Sequence, residues 1–121
     1  MTAGRLDRAQ AVPATETGIQ SLLALDRVVH EPARLVILAV LDSAEEVDFA
    51  FLQTASGLTK GNLSTHASKL EEAGYIQIRK YFKGKLPATG YRITPSGKIA
   101  FAAYWERMRA IQQSVGQAGS G

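Results

Sequence analysis

The sequence predicts a mostly helical α+β fold in which one antiparallel pair of strands lies between helices. Over most of the chain, apolar residues recur at steps of three and four, the period of an amphipathic helix. After Gly74 the period changes to two, which is typical of half-buried strands. The length of 121 residues leaves room for a single core. These observations predict one domain and exclude large enzyme architectures such as the (β/α)₈ barrel, which needs about 250 residues.

The folded domain is expected to span residues 19–115. Residues 1–18 have no apolar period and are rich in small residues, which predicts a mobile N-terminal arm, and residues 116–121 predict a flexible tail. The longest apolar run, residues 35–41, is far shorter than the roughly 20 residues of a membrane helix, so no membrane partner is expected. No apolar signal segment follows the N-terminus, so a cytoplasmic location is expected.

Two helices are predicted to open the domain. The first is expected over 19–29, where helical steps separate the apolar residues Ile19, Leu22, Leu23, Leu25, Val28 and Val29. Pro32 suits the first turn of a second helix, because its missing N–H would have no partner there. Residues 34–41 are apolar almost all round, which predicts a helix enclosed by its neighbours at the centre of the core.

A helix-turn-helix motif is predicted over residues 48–74, after a connector that could end in a short strand. Asp48 is suited to cap a helix from Phe49 to Ser56, and Gly57 can adopt the left-handed conformation that ends it. Thr59 is suited to cap the next helix, which Gly74 closes. The buried face of this second helix is expected to hold Leu63, Ala67 and Leu70.

A hairpin and a last helix are predicted after Gly74. Ile76 and Ile78 alternate with polar residues, as do Tyr91 and Ile93, and the loop between the two strands is expected at residues 83–88. The last helix is expected to begin after a Thr94 cap with Pro95 at its first position, and to end at about Val115.

The charge of the chain is concentrated in one segment. Residues 59–98 contain eight basic and two acidic residues, whereas the rest of the chain contains six basic and nine acidic residues. A basic surface on one side of a molecule is typical of a protein that binds a polyanion such as nucleic acid. The alternative is an inert, solvated lysine-rich surface.

The order of elements and three phrases of the sequence resemble a known family. The phrases are Leu63-Ser64-Thr65-His66, residues 69–75 (KLEEAGY) and residues 91–97 (YRITPSG). They are similar to the winged helix-turn-helix DNA-binding regulators of prokaryotes, of the MarR and ArsR types, and most of all to the small stand-alone winged-helix regulators. The resemblance covers about residues 25–100, and departs from the usual pattern at Ala67, where these proteins commonly have leucine.

That resemblance implies a sequence-specific transcription regulator that binds double-stranded DNA as a homodimer. The second helix of the motif would enter the major groove, and the hairpin, called the wing in this family, would follow the DNA backbone. The smaller side chain of Ala67 is expected to affect packing rather than function.

The exposed face of the second motif helix carries the candidates for base contacts. Asn can pair with adenine, Ser or Thr can contact any base, and Lys suits phosphate or guanine. The candidates are Lys60, Gly61, Asn62, Ser64, Thr65, Ser68 and Lys69. An ordinary solvated helix face is the alternative, although such a face more often carries better helix formers.

The hairpin carries a second set of candidates, for contacts to phosphate or the minor groove. They are Lys80, Lys83, Lys85 and Arg92, which have no acidic neighbour close in sequence. The alternative is that these cations protect a strand edge against aggregation.

The terminal helices carry more apolar residues than a domain of this size needs for its core. We therefore expect a homodimer interface. Its candidates are Ile19, Leu22, Leu23, Phe101, Tyr104, Trp105, Met108, Ile111 and Val115. The alternative is that the last helix folds back on its own domain.

Other functions have less support in the sequence. With no cysteine and two histidines, no metal site or cofactor is predicted, and His66 is expected to be a packed, hydrogen-bonded side chain. No catalytic motif is present, so an enzyme is not expected. A winged-helix module that binds a protein instead of DNA remains the alternative function. Whether a small-molecule effector exists, and whether the protein activates or represses, is left open.

Overall fold

A computed structural model describes the backbone of residues 19–120 and the side chains of residues 19–116. The mobile arm predicted for residues 1–18 lies outside the described residues, as does the last residue of the predicted tail. The elements, in chain order, are a 3₁₀ helix (Gln20–Ala24), α1 (Pro32–Asp42), β1 (Val47–Asp48), α2 (Phe49–Ser56), α3 (Lys60–Glu72), β2 (Ile76–Lys83), β3 (Leu86–Ile93) and α4 (Pro95–Ser120). The predicted α+β fold is confirmed, and so is the order of its elements, except that a short 3₁₀ helix replaces the first predicted helix.

The three strands form one antiparallel sheet in the order β1-β3-β2. Strands β2 and β3 pair from Ile76↔Ile93 to Lys83↔Leu86, so only Gly84 and Lys85 form the turn. Gly84 has φ 63°, the left-handed conformation that a two-residue hairpin turn favours. The predicted loop over residues 83–88 was therefore too long, because one glycine lets the strands reverse within two residues.

The helix predicted over residues 19–29 does not form. The 3₁₀ helix ends at Ala24, and Leu25 is extended with ψ 142°. The Oδ1 atom of Asp26 accepts hydrogen bonds from the backbone N–H groups of Val28 (2.8 Å) and Val29 (3.2 Å). A side chain that satisfies nearby backbone donors in this way competes with the helix. Leu25 and Val29 are nevertheless buried in the core. Their helical spacing correctly indicated that both side chains are buried, although they lie outside a helix.

The helix-turn-helix forms as predicted. The Asp48 carboxylate caps α2 by accepting from the N–H of Phe51 (2.8 Å), and the Thr59 hydroxyl caps α3 by accepting from Asn62 (3.2 Å). Gly57, with φ 72°, ends α2. The core that holds the two helices together is centred on α1, and its fully buried residues include Ile37, Leu38, Leu41, Leu52, Leu63 and Leu70.

The start of α4 is fixed against the segment that joins α3 to β2. The Thr94 hydroxyl accepts from the N–H of Gly97 (3.0 Å) and donates to the carbonyl of Gly74 (2.6 Å). A Cβ on Gly97 would lie 2.1 Å from the carbonyl oxygen of Tyr75, so only glycine allows this close approach. From there α4 continues to Ser120, beyond the end predicted at Val115. Within residues 19–120, no helix is both long and apolar enough to cross a membrane.

Candidate nucleic-acid interface

Helix α3 presents a polar surface to solvent. Leu63, Ala67 and Leu70 are buried, as their spacing predicts. All the candidate side chains and the candidate glycine of this helix are exposed: Lys60, Gly61, Asn62, Ser64, Thr65, Ser68 and Lys69. The exposed surface therefore consists of short polar groups and two lysines, and a ligand can approach its backbone closely.

A groove separates α3 from the hairpin. It has a volume of about 270 Å³ and is lined by Ser64, Ala67, Ser68 and Glu71 of α3 and by Ile78, Lys80 and Tyr91 of the hairpin. Because alternate residues of a strand share a face, Phe82 and Thr89 belong to the same side of the hairpin as Lys80. We call this side the groove face, and it brings Lys80 next to the candidate base-contacting helix.

The tip of the hairpin combines cations with exposed apolar side chains. Lys83 ends β2, Lys85 lies in the turn, and both are exposed. Phe82 is 70% exposed and Leu86 is 71% exposed. Neither residue was predicted to contact a ligand, although an aromatic residue within a lysine-rich segment is a signal that could have indicated such a contact.

The opposite side of the hairpin, here the outer face, holds its cations in ion pairs. Glu46 accepts a bidentate pair of hydrogen bonds from Arg79, at 2.7 and 3.1 Å, and its Oε2 lies 3.9 Å from Nε of Arg92. Hydrogen bonding to Arg79 lowers the pKa of Glu46 and raises the pKa of Arg79. The Arg79 guanidinium also lies 4.1 Å from the centre of the Tyr81 ring.

This arrangement changes the expectation for Arg92. The side chain lies on the outer face, away from α3, and near a carboxylate that is distant in sequence. Pairing of β1 with β3 brings Glu46 there, and Gly90 makes room for it, because a Cβ on Gly90 would lie 2.7 Å from Cδ of Glu46. The absence of an acidic neighbour in sequence was therefore a poor guide, and Arg92 is a weaker candidate for a DNA contact than the unpaired lysines of the hairpin.

The side of α3 away from the hairpin packs against α1 through His66. Nε of Arg34 donates to Nδ1 of His66 (3.2 Å), and Oε1 of Glu31 lies 3.9 Å from the same nitrogen. Arg34 also donates to the carbonyl of Val28 (3.1 Å). The expectation of a packed, hydrogen-bonded His66 is confirmed, and this contact helps to orient α3 on the domain.

Tyr75, between α3 and β2, connects this region to the N-terminal segment. Its hydroxyl donates a hydrogen bond to Oδ2 of Asp26, and burial together with this bond raises the pKa of Tyr75 to about 12. A cavity of about 320 Å³ lies beside this pair, and its wall is largely apolar and formed in part by Ala24, Ile99, Ala100, Ala103 and Tyr104.

The candidate dimer residues divide into three groups by exposure. Tyr104 is 4% exposed, Ile111 is 6% exposed, and Nδ1 of His30 lies 2.9 Å from the Tyr104 hydroxyl, so these two side chains belong to the core of their own domain. Phe101 and Met108 are half-buried against that core. The apolar side chains left exposed are Ile19, Leu22, Leu23, Trp105 and Val115.

Residues 19–116 contain no group of three histidine or carboxylate side chains suited to hold a metal ion. The surface around α3 consists of a polar helix face, a groove that Lys80 lines, and the exposed lysines at the tip of the hairpin.

Known proteins that are similar to this chain indicate a DNA-binding domain. A family model described as a winged helix DNA-binding domain matches residues 33–112. An uncharacterized protein of Methanocaldococcus jannaschii is 37% identical over 90 residues, which cover 74% of this chain and 97% of that protein.

Solved structures share the fold at lower identity. A transcriptional regulator homologue from Pyrococcus horikoshii superposes with a TM-score of 0.71 at 24% identity, covering 78% of this chain and 94% of that one. A MarR-family regulator from Enterococcus faecalis superposes with a TM-score of 0.65 at 16% identity, covering 91% and 98%. With its helix-turn-helix, its hairpin and the match over residues 33–112, the chain belongs to the winged-helix DNA-binding domain family.

Proposed function

We propose that this protein is a sequence-specific transcription regulator that binds double-stranded DNA as a homodimer. In this proposal α3 enters the major groove and the hairpin follows the adjacent backbone. The observation that carries it is the groove between them, because it places Lys80 of the hairpin beside the polar face of α3. One duplex can then contact both.

The charges on this side are available to phosphate. Among the described residues, no carboxylate lies within ion-pair distance of Lys80, Lys83 or Lys85, in contrast with Arg79 and Arg92 on the outer face. Lys60 and Lys69 are likewise exposed and without an ion pair in that part of the chain. Each phosphate neutralised by such a cation releases counterions, which favours binding at low salt.

The short polar side chains of α3 are the proposed readers of base sequence. Asn62 and Thr65 are exposed on the helix, and Ser64 and Ser68 line its groove. Such side chains can reach base edges in the major groove, where each good contact contributes about 1–3 kcal/mol of discrimination between bases.

The homodimer is proposed from the apolar surface that the domain leaves uncovered. Leu23 is 82% exposed, and Trp105 and Val115 on α4 are also exposed. A two-fold dimer through these side chains would bury them and present two α3 helices to half-sites about 34 Å apart. Sedimentation of the protein and of its L23E/W105E variant tests this: the wild type is expected to be a dimer and the variant a monomer.

Titration of duplex DNA at several salt concentrations tests the DNA-binding proposal. Binding that weakens steeply as salt increases is expected, together with a preferred sequence recoverable from a random-sequence library. In N62A and T65A the preference among sequences is expected to change while the salt dependence stays the same, and T54A, at an exposed position on α2, serves as the control.

The alternative is a winged-helix module that binds a protein. It would account for the fold and the exposed apolar residues but not for the unpaired lysines beside α3. A dimer that shows no salt-dependent binding to any duplex would favour this alternative and end the DNA proposal. We also propose a cytoplasmic location, because the prokaryotic regulators that the chain resembles bind their DNA there.

A further inference from the structure

We propose that Phe82 is an apolar wedge that enters the minor groove next to the major groove occupied by α3, and partly unstacks a base step there. This inference rests on the proposed function. It adds a contact of a different kind, which depends on DNA deformation rather than on charge or hydrogen bonding.

Phe82 is exposed to solvent at the tip of the hairpin. Its side chain is 70% exposed, and among the described residues its ring contacts no other aromatic ring and no cation. Tyr81, its neighbour in β2, is instead covered by the Arg79 guanidinium. Phe82 therefore contributes little to the core, and its apolar surface is available to a ligand.

Phe82 lies on the side of the hairpin that faces α3. It pairs with Pro87 across the hairpin and shares the groove face with Lys80 and Ile78. Four residues of strand carry it about 13 Å beyond Ile78, where the hairpin leaves the domain. Adjacent major and minor grooves are about half a helical turn apart, or about 17 Å. Phe82 therefore projects from the α3 side of the hairpin toward the minor groove that adjoins the major groove occupied by α3.

The charge around Phe82 favours a polyanionic ligand. Lys80, Lys83 and Lys85 surround it in sequence, and in the described part of the chain none of them forms an ion pair. The same cations would repel an identical tip from a second copy of the chain. The minor groove provides both the phosphates that such cations need and apolar sugar and base surfaces for a wedge. Phe and Pro are both used by proteins that kink DNA in this way.

The test compares F82A with L86A on a duplex selected by the wild-type protein, carrying 2-aminopurine at the steps under the hairpin. Leu86 is the matched control, because it is equally exposed at the same tip but lies on the outer face. F82A is expected to bind about tenfold more weakly and to lose the increase in 2-aminopurine fluorescence, whereas L86A keeps both. F82L, which retains an apolar wedge, is expected to recover part of each signal.

Two further readouts separate the wedge from other roles of Phe82. The salt slope of binding should be the same in F82A as in the wild type, because no charge is removed, and the melting temperature of the free protein should change little. The inference is wrong if wild-type protein binds the duplex and F82A binds equally well with the same fluorescence. It is also wrong if F82A changes the oligomeric state of the free protein instead. Absence of any binding by the wild type would instead contradict the proposed function.

Discussion

The hairpin holds its cations differently on its outer face than on its groove face and at its tip. On the outer face, Arg79 and Arg92 share the carboxylate of Glu46, and Arg79 also covers the Tyr81 ring. On the groove face and at the tip, Lys80, Lys83 and Lys85 have no ion pair within the part of the chain that the structure describes.

The difference shows that counting charge does not locate a binding surface. A cation that already has a carboxylate partner must give up that contact before it can bind phosphate, whereas an unpaired cation exchanges only water and counterions. A phosphate-binding surface is therefore better located by finding which cations lack an ion pair and on which face they lie. The following experiments test whether the two faces differ in this way.

The largest effect on binding is expected from removal of the unpaired lysines. K80A/K83A/K85A should bind every duplex more weakly, and the log-log salt slope should decrease by about 0.9 for each phosphate contact that is lost. R79A/R92A, which removes cations from the outer face, should leave the slope close to that of the wild type. Equal effects of the two variants in anisotropy titrations would show that the faces do not differ.

A smaller effect is expected from the release of the outer-face arginines. E46Q frees Arg79 and Arg92, so non-specific binding should become stronger and the salt slope should increase by at most about 0.9 for each arginine that reaches phosphate. G90A should act in the same direction, because its Cβ would displace the Glu46 carboxylate. E45Q is the control: it removes the same charge from an exposed neighbour. If E45Q and E46Q bind equally, net charge alone explains the gain.

A change at the base of the hairpin, where the Tyr75 hydroxyl donates to Asp26, should affect the stability of the fold but not the binding of DNA. Y75F is expected to lower the free energy of unfolding by about 1 kcal/mol near neutral pH, without changing the salt slope of DNA binding. Folding raises the pKa of Tyr75 from 10 to about 12, so its contribution is complete below pH 10 and is lost as the pH rises through 12. Urea unfolding of both proteins should show their difference disappearing over that range, and a difference that persisted to higher pH would contradict this assignment.

The smallest effect, on the free energy of unfolding, is expected when acid protonates Glu46 on the outer face. Arg79 lowers the pKa of Glu46 below its ordinary value of 4.5, so the ion pair stabilises the fold above that pH and the contribution is lost as the pH falls further. The stability difference between wild type and E46Q should therefore shrink below pH 4.5, and it should also shrink at high salt because the pair is exposed. A constant difference in denaturation experiments would mean that the pair contributes nothing to stability.

Local patterns determined most of the elements that form the candidate site. The spacing of Leu63, Ala67 and Leu70 predicted which face of α3 is buried, and thereby which side chains are exposed. Asp48, Gly57 and Thr59 predicted the bounds of the two motif helices, because caps and left-handed glycines act through hydrogen bonds within a few residues. The change of period after Gly74 predicted the two long strands.

Contacts between distant residues were decided only by the tertiary structure. Glu46 meets Arg79 because β1 pairs with β3, and nothing near either residue in sequence indicates that contact. The hydrogen bonds of Asp26 stabilise a turn where a helix was predicted. Tyr104 and Ile111 were predicted to lie in a dimer interface, but they are buried in the core of their own domain. A helical period reports that a side chain is buried, whereas whether its own domain or a partner covers it depends on packing between elements far apart in the chain.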